Sequence, residues 1–525
     1  MRLSRLLQSV CPRRVTGNGL ANGGVLSDPE VTSVHCRSKN VRPGGVFVAV
    51  RGQHFDGHDY IQEALDRGAV AIVAEKADIS NAIVALVDDS RKALALLSSK
   101  FYGNPADRLV MIGVTGTNGK TTTVALIETI LKTGGVEVGA IGTANYRYRG
   151  KVISNPLTTP ESIDLQRILA DMAAAGVTHV VMEVSSHALD QQRVVGCAYD
   201  VAVFTNLTQD HLDYHETMDA YWACKQSLFI DYLGLSLKKE KTAAVINCND
   251  SRGRRLAERL GDKQVICVGE GVNCQVSPKD VRYAPDGISG VIVTPMGELH
   301  FTSPLAGHYN FENILCAVGA TTALGMDAGI IRSGVASFQG VPGRLEKVSN
   351  QLCRYVFVDY AHTPDALANV LSTVRAITSR RLFCVFGCGG DRDRKKRPEM
   401  GRIAVALADR VVITSDNPRS EDPRLIINEI LTGVGDAALR AADPAEFGRL
   451  DDEKRYLVEP DRSRAISAAM LASRPGDALV IAGKGSEPYQ ILKDRTVDFD
   501  DRVEAREALR QLENNRQPDM DMCAT

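Results

Sequence analysis

No uninterrupted apolar run in the 525-residue sequence approaches the ~20 residues needed to cross a bilayer, so no membrane partner is expected. Nor is there an excess of one charge: 62 Lys and Arg stand against 64 Asp and Glu, a formal net charge of −2. That balance supplies no global field drawing the chain to nucleic acid, so any anion must be met locally. The 12 cysteines contain no Cys-x-x-Cys pair, which argues against a zinc ribbon or a disulfide framework; reduced thiols in a cytoplasmic protein are expected. The stretch from Met1 to Arg14 is Arg-rich, with no acid before Asp28, but lacks an apolar signal core, and a short amphipathic helix is the expectation.

What is present is ordinary globular composition, 44% hydrophobic and 24% charged, which excludes disorder and fibrous repeats. At ~100–200 residues per domain the length predicts about three domains. The turn-rich Phe101-Tyr-Gly-Asn-Pro-Ala-Asp107 marks the first boundary, and domains are expected at 1–107, 108–341 and 342–525. The expected class is α/β throughout: a small α/β N-terminal domain, a central domain with a mostly parallel sheet, read as a P-loop ATPase domain from the glycine-rich Thr115-Gly-Thr-Asn-Gly-Lys-Thr121, and a Rossmann-like C-terminal domain. In the last region four apolar strands run into polar loops: Val356–Asp359 into Tyr360-Ala-His-Thr-Pro364, Leu382–Phe386 into Gly387-Cys-Gly-Gly-Asp-Arg392, Val411–Thr414 into Ser415-Asp-Asn-Pro-Arg419, and Leu479–Ala482 into Gly483-Lys-Gly-Ser-Glu487. Ligands of open parallel sheets bind beyond the carboxyl ends of strands, so these loops are expected to share one rim. The polar tail Glu513–Thr525 is expected to fray.

The strongest chemical signal is Leu109-Val-Met-Ile-Gly-Val-Thr-Gly-Thr-Asn-Gly-Lys-Thr-Thr-Thr123. An apolar strand enters a glycine-rich loop, and a helix follows with Val124, Ile127 and Leu131 on one face, the setting of a phosphate-binding loop. Gly116 and Gly119 let backbone N–H groups approach phosphate oxygens, Lys120 would reach the β/γ-phosphates of a nucleotide, and Thr121 would ligate Mg²⁺. Val114 stands where the strict pattern has Gly. Two further strands end in polar clusters, Glu183-Val-Ser-Ser-His187 and Thr205-Asn-Leu-Thr-Gln-Asp-His-Leu-Asp-Tyr-His215. On the same sheet edge, Glu183 and His211 could complete coordination of a divalent cation. His211 and His215 could also suggest zinc, but Asp210 and Asp213 favour a harder metal. Thr159 reads as an N-cap and Pro160 as N1 of a helix carrying the stripe Leu165, Ile168, Leu169 and Met172. Lys225 reads as a surface lysine, and the cluster Arg392-Asp-Arg-Lys-Lys-Arg397 as a solvated face that could also hold carboxylates or phosphates.

At Thr115-Gly-Thr-Asn-Gly-Lys-Thr121 the chain resembles the Mur ligases, ATP-dependent amide-forming enzymes of peptidoglycan precursor synthesis. The resemblance extends through Met182-Glu-Val-Ser-Ser-His187, Asn206–His215, His308-Tyr-Asn-Phe-Glu-Asn313, Gly343-Arg-Leu-Glu346, Val358–Asp365 and Gly387–Asp393, and a residue such as Val114 is normal for the family. Asp416-Asn-Pro-Arg419 resembles the signature of the branch that adds meso-2,6-diaminopimelate to UDP-N-acetylmuramoyl-L-alanyl-D-glutamate. The resemblance implies an acyl-phosphate intermediate, a monomer, and metal service by Thr121, Glu183, His211 and a carbamoylated Lys225. It implies ATP contacts at Gly116, Thr117, Asn118, Gly119, Lys120, Thr121, Thr122, Asn313, Arg344 and Asp359. It implies muramoyl-dipeptide contacts at Ser38, Thr158, Thr159, Ser185, Gln191 and Arg193, and a diaminopimelate grip by Arg392, Asp416, Asn417, Pro418, Arg419, Gly483 and Glu487. Arg37 and Lys39 replace the family's usual Asp and Arg around Ser38, and Ser486 stands where the related loop often has His. The alternatives are a lysine-adding or other Mur-type ligase, argued against by Asp416-Asn-Pro-Arg419, and a nucleotide-gated binding protein without chemistry.

Overall fold

The computed structural model describes residues 1–17, 28–52, 55–79, 81–233, 242–261, 264–435, 437–441, 443–449 and 453–514. The chain forms two compact units, one of Met1–Pro278, Ile292–Leu299 and Asn313–Val335, the other of Lys279–Val291, His300–Glu312 and Ala336–Thr525. Among the described residues no helix is long and apolar enough to cross a membrane.

The first unit begins with the helix Leu3–Leu7, whose Leu3, Leu6 and Leu7 are buried, as its amphipathic pattern requires. They join a core with Val46, Val48 and Val73 from a five-stranded sheet. That sheet has the order Arg14–Thr16, Val84–Leu86, Ala71–Ala74, Gly45–Val48, Ser33–His35. All its neighbours are parallel except Arg14–Thr16, which is antiparallel to Val84–Leu86. The second sheet of this unit is larger, in the order Gln264–Val268, Ala243–Asn247, Val201–Phe204, Val110–Thr115, His179–Glu183, Val138–Ile141, Ala144–Tyr148, Lys151–Asn155. The first six are parallel and the last two form an antiparallel hairpin. Val201–Phe204 and Val138–Ile141 are buried at every residue, the pattern of strands covered on both faces. The helix Lys120–Thr133 buries Val124, Ile127 and Leu131, each stabilising by ~1.5–3 kcal/mol.

The second unit holds a seven-stranded sheet in the order Glu346–Val348, Tyr355–Asp359, Ala478–Ala482, Leu382–Phe386, Arg410–Ile413, Arg455–Val458, Leu439–Arg440. Only Glu346–Val348 runs antiparallel. The four strands expected to share a rim are neighbours and parallel, so their carboxyl ends and the loops beyond them do lie on one edge.

Three expectations need correction. The helix after Thr158 runs Ser162–Ala174 with Glu161 at its N-cap position, so Thr159 does not cap it; its hydroxyl instead donates to the Glu183 carbonyl at 2.8 Å. The apolar stripe Leu165, Ile168, Leu169 and Met172 is buried as expected. Among the described residues ten cysteines form no disulfide, but Cys353 is disulfide-bonded; spacing in a sequence cannot report which thiols meet in space. Glu513 and Asn514, expected to fray, close the helix Asp501–Asn514; the remainder of the tail, residues 515–525, lies outside the described residues.

Candidate active site

The loop joining the strand Val110–Thr115 to the helix Lys120–Thr133 has no room for side chains at its glycines. A Cβ on Gly116 would stand 1.9 Å from Thr205 Oγ1, and one on Gly119, at φ +85°, 2.2 Å from Asn313 Oδ1. Gly119 begins the helix and no side chain caps it, which leaves its first N–H groups directed at the position an anion would take. A second loop braces the first. The Asn206 carbonyl accepts the Thr117 N–H at 2.9 Å, Asn206 Oδ1 accepts the Asn118 N–H at 2.9 Å, and the Thr205 hydroxyl donates to the Asn118 carbonyl at 2.6 Å.

Two lysines converge on this loop. Lys120 Nζ donates to the carbonyls of Gly116 and Thr117, both at 2.8 Å, and Lys225 Nζ donates to the same Gly116 carbonyl at 2.7 Å. The reading of Lys225 as a surface residue is therefore overturned: it is 1% exposed. Its helix Met218–Ser227 buries Tyr221, Trp222 and Lys225, and an i, i+4 pair shares one face. Its amine stands 4.5 Å from the centre of the Tyr221 ring, and the Tyr221 hydroxyl lies 3.1 Å from Thr117 Oγ1. Burial, then the cation of Lys120, pushes the Lys225 amine well below its ordinary value.

Glu183 ends the strand His179–Glu183 and is 1% exposed. Its carboxylate accepts the Thr143 N–H at 2.9 Å and the Thr143 hydroxyl at 3.2 Å. Thr143 Oγ1 is also 3.2 Å from Thr158 Oγ1. Thr159 hands the network on: its hydroxyl accepts the Ser185 N–H at 3.1 Å, and its carbonyl accepts Arg193 Nη1 at 3.0 Å. Arg193 pairs with Glu161 at 3.1 Å and donates through Nε to Gln191 Oε1 at 3.1 Å. Thr158, Thr159, Ser185, Gln191 and Arg193 are thus brought into one network.

His211 is positioned differently. It is exposed and left-handed, at φ +55°, its Nε2 lies 3.5 Å from Asp210 Oδ2, and its ring meets that of His187 edge-on at 4.9 Å. Among the described residues no three His, Cys, Asp or Glu side chains are gathered as a metal site; the side chain of Asp213 is outside them. Ser38 opens the 3-10 turn Ser38–Asn40, and its hydroxyl donates to Glu63 at 2.7 Å, between the exposed Arg37 and Lys39. Its hydroxyl takes no part in the Thr158–Arg193 network.

In the second unit, Asp359 receives the N–H groups of Leu345 and Ala361 at 2.7 and 2.8 Å, and burial raises its carboxyl above the ordinary range. Arg344 lies over the Tyr360 ring, 4.7 Å from its centre. Beyond the neighbouring strands, Asp416 and Asn417 are buried, and Asn417 Nδ2 donates to Glu487 at 2.9 Å. Gly483, at φ +122°, approaches Asp416 so closely that a Cβ would stand 3.0 Å from Oδ2. Arg419 is itself left-handed, at φ +52°, and its Nη1 donates to the Gly390 carbonyl at 2.9 Å.

The basic cluster divides by role. Arg397 is fully buried between Glu421 and Glu429, at 2.8 Å from each, and Lys396 donates to the His362 carbonyl at 2.8 Å. Arg392 is exposed, with a single hydrogen bond to the Asp391 carbonyl. Sequence reasoning passed over Lys484, which is 0% exposed. Its amine lies 3.0 Å from Asn417 Oδ1, 3.7 Å from Asp416 and 3.4 Å from Glu487. The available signal was a lysine between two glycines at the end of a buried strand.

Family models match three consecutive stretches: the Mur ligase family catalytic domain at residues 30–102, the Mur ligase middle domain at 114–321, and the Mur ligase glutamate ligase domain at 343–485. A Geobacter metallireducens protein named UDP-N-acetylmuramoyl-L-alanyl-D-glutamate--2,6-diaminopimelate ligase is 46% identical over 98% of this chain and 100% of its own. Its Geobacter sulfurreducens namesake is 44% identical over 97% of this chain and 99% of its own. A solved structure bearing the same name superposes with a TM-score of 0.68 at 32% identity, over 92% of this chain and 95% of that one. The chain belongs to the Mur ligase family.

Proposed function

We propose that this protein is an ATP-dependent ligase that joins meso-2,6-diaminopimelate to UDP-N-acetylmuramoyl-L-alanyl-D-glutamate in peptidoglycan precursor synthesis. The carrying observation is that one chain holds both a phosphate loop served by Lys120 and Lys225 and a rim built of Asp416, Asn417, Arg419 and Glu487. Near full-length similarity to proteins of that name supports it. In this reading the work divides among residues 1–107 for the UDP-sugar, 108–341 for ATP and chemistry, and 342–525 for the amino acid; three consecutive family matches, at 30–102, 114–321 and 343–485, support a division into three. The use of ATP and a nucleotide-linked precursor supports a cytoplasmic location for this reaction.

A carboxylate is a poor electrophile, so the D-glutamyl carboxylate first takes the γ-phosphoryl group of ATP. The amine of diaminopimelate then attacks the acyl carbon, a tetrahedral intermediate forms, the nitrogen gives up a proton, and phosphate departs as the acyl C–O bond breaks. Gly116 to Thr122 cradle the nucleotide phosphates through backbone N–H groups, and Lys120 turns from its loop carbonyls to the transferred oxygens, where negative charge spreads. Asn313, Arg344 and Asp359 hold the remainder of ATP, while Ser38, Thr158, Thr159, Ser185, Gln191 and Arg193 hold the muramoyl-dipeptide. Arg392, Asp416, Asn417, Pro418, Arg419, Gly483 and Glu487 hold diaminopimelate.

Mg²⁺ fits the donor chemistry: a threonine hydroxyl at Thr121, a buried carboxylate at Glu183, an imidazole at His211 and Lys225 once carbamoylated, a set dominated by hard oxygen donors. When bound, Mg²⁺ would neutralise the phosphate charge. An ammonium cannot ligate a cation; Lys225 acquires oxygens when its neutral amine adds to CO₂ and releases one proton. The test is phosphate release from ATP given the UDP-linked dipeptide, comparing diaminopimelate with lysine. Release with diaminopimelate alone is expected, release with lysine alone points to the lysine-adding branch, and no release with either removes the ligase reading.

A further inference from the structure

Three free thiols, Cys248, Cys267 and Cys274, gather at the end of two neighbouring strands of the eight-stranded sheet. In the parallel register Ile246 lies opposite Cys267. Cys248 is two residues beyond Ile246, so its side chain points to the same face as that of Cys267. The backbone agrees, with the Cys248 N–H donating to the Val268 carbonyl at 2.8 Å. Cys274 returns by a turn closed on the Gly271 carbonyl at 2.9 Å. The three thiols lie close enough to perturb one another's titration. Cys248 is buried, whereas Cys267 and Cys274 are half-buried and within reach of solvent. The reaction proposed above uses none of them.

Their neighbours connect them to the phosphate loop. Cys248 follows Asn247, whose amide donates to the Thr205 carbonyl at 2.7 Å. Asp250 accepts the Leu207 N–H at 2.7 Å while capping the helix Ser251–Leu260. Thr205 and Asn206 are the residues that brace Thr117 and Asn118. Only Asn247 and Thr205 separate the thiol pair from the nucleotide-binding backbone.

We propose that Cys267 and Cys248 form a peroxide-reactive thiol pair whose disulfide withdraws support from the phosphate loop. The Cys267 thiolate attacks one oxygen of the peroxide, the O–O bond breaks, and sulfenic acid forms as water leaves with a proton from solvent. The Cys248 thiol then attacks the sulfenic sulfur, forming the S–S bond and releasing a second water. Two thiols are thereby oxidised as one peroxide is reduced. Cys267, within reach of solvent, is the attacking thiol and the buried Cys248 the resolving one; the interaction between them lowers the Cys267 thiol and raises that of Cys248. A disulfide holds Cβ atoms about 3.5–4.5 Å apart. Closing it between residues offset along their strands draws Cys248, and with it Asn247, away from Thr205.

The test uses the reduced full-length protein, hydrogen peroxide, peptide mapping without reductant, and ATP titration. A Cys248–Cys267 linkage is expected, with ATP affinity falling roughly tenfold, the worth of one or two hydrogen bonds, and returning with dithiothreitol. Cys267→Ser should bind ATP as the untreated protein does and ignore peroxide, and Cys248→Ser should trap a sulfenic acid that dimedone labels. A Cys248–Cys274 linkage, no linkage, or an equal loss of ATP affinity in peroxide-treated Cys267→Ser overturns the proposal. The mapping result does not depend on the ligase reading.

Discussion

Lys120 and Lys225 donate to one acceptor, the carbonyl oxygen of Gly116, at 2.8 and 2.7 Å. The deeper amine carries the consequence: burial, then the neighbouring Lys120 cation, favours the neutral form of Lys225. A neutral amine is the form that adds to CO₂.

Lys225→Ala should abolish phosphate release, and excess bicarbonate should not restore it. Near-normal turnover would remove the carbamate assignment. The pH dependence has a definite sign. A lysine whose folded value is depressed is neutral over a window in which the unfolded chain is still protonated, and carbamate formation releases a proton. Labelling of Lys225 by ¹³C-bicarbonate, read by NMR, should therefore rise with pH through that depressed value. Labelling that falls over this range contradicts the assignment.

Meso-diaminopimelate carries one carboxylate more than lysine, and Arg419 is held at the rim by the Gly390 carbonyl. Its left-handed backbone fixes where the side chain leaves the loop. Losing a charge-assisted hydrogen bond costs ~1.5–3 kcal/mol, about 10- to 100-fold. Arg419→Ala should narrow the ratio of kcat/KM for diaminopimelate over lysine by that factor, and an unchanged ratio would sink the role.

Lys484 fixes Asn417, Asp416 and Glu487 from a fully buried position. Lys484→Met keeps its length and removes the charge. Steady-state kinetics should show KM for diaminopimelate rising while KM for ATP stays constant; equal change in both would mark a general folding defect.

Gly119→Ala places a Cβ where Asn313 Oδ1 stands and forces a left-handed alanine. The backbone term alone costs ~1–2 kcal/mol. Calorimetric titration should show ATP binding weakened at least tenfold, and wild-type affinity would show that the loop can yield.

Arg462 and Asp501 are both fully buried and paired at 2.7 Å. Asp501→Ala strands a buried guanidinium and should cost ~3–5 kcal/mol, read as a lowered midpoint in urea unfolding. A loss of unfolding free energy below about 1 kcal/mol, taken as the midpoint shift times the urea slope, would mean that the carbonyls of Ala482 and Ser415, which Arg462 also meets, suffice alone.

Local chemistry made much of this legible in advance. A phosphate loop is contiguous, so its strand, glycines and helix could be read at Leu109–Thr123, and apolar strands emptying into polar loops announced the rim from Tyr360 to Glu487. The stripe Leu165, Ile168, Leu169 and Met172 gave its buried face by period alone. Thr159 was misread because capping is a local pattern, whereas its partner Glu183 is distant in sequence and adjacent only through the sheet.

The linear sequence by itself determined the α/β class, the phosphate loop, the candidate residues and, by resemblance, the family, because each rests on residues close together in the chain. Tertiary structure alone decided which lysines matter. Lys225 and Lys484 look like solvated cations until helix and strand packing bury them, and the Gly116 carbonyl that receives Lys225 lies 109 residues away. Burial is a property of what surrounds a side chain, and desolvation is what converts an ordinary ammonium into a perturbed amine or a pinned anchor.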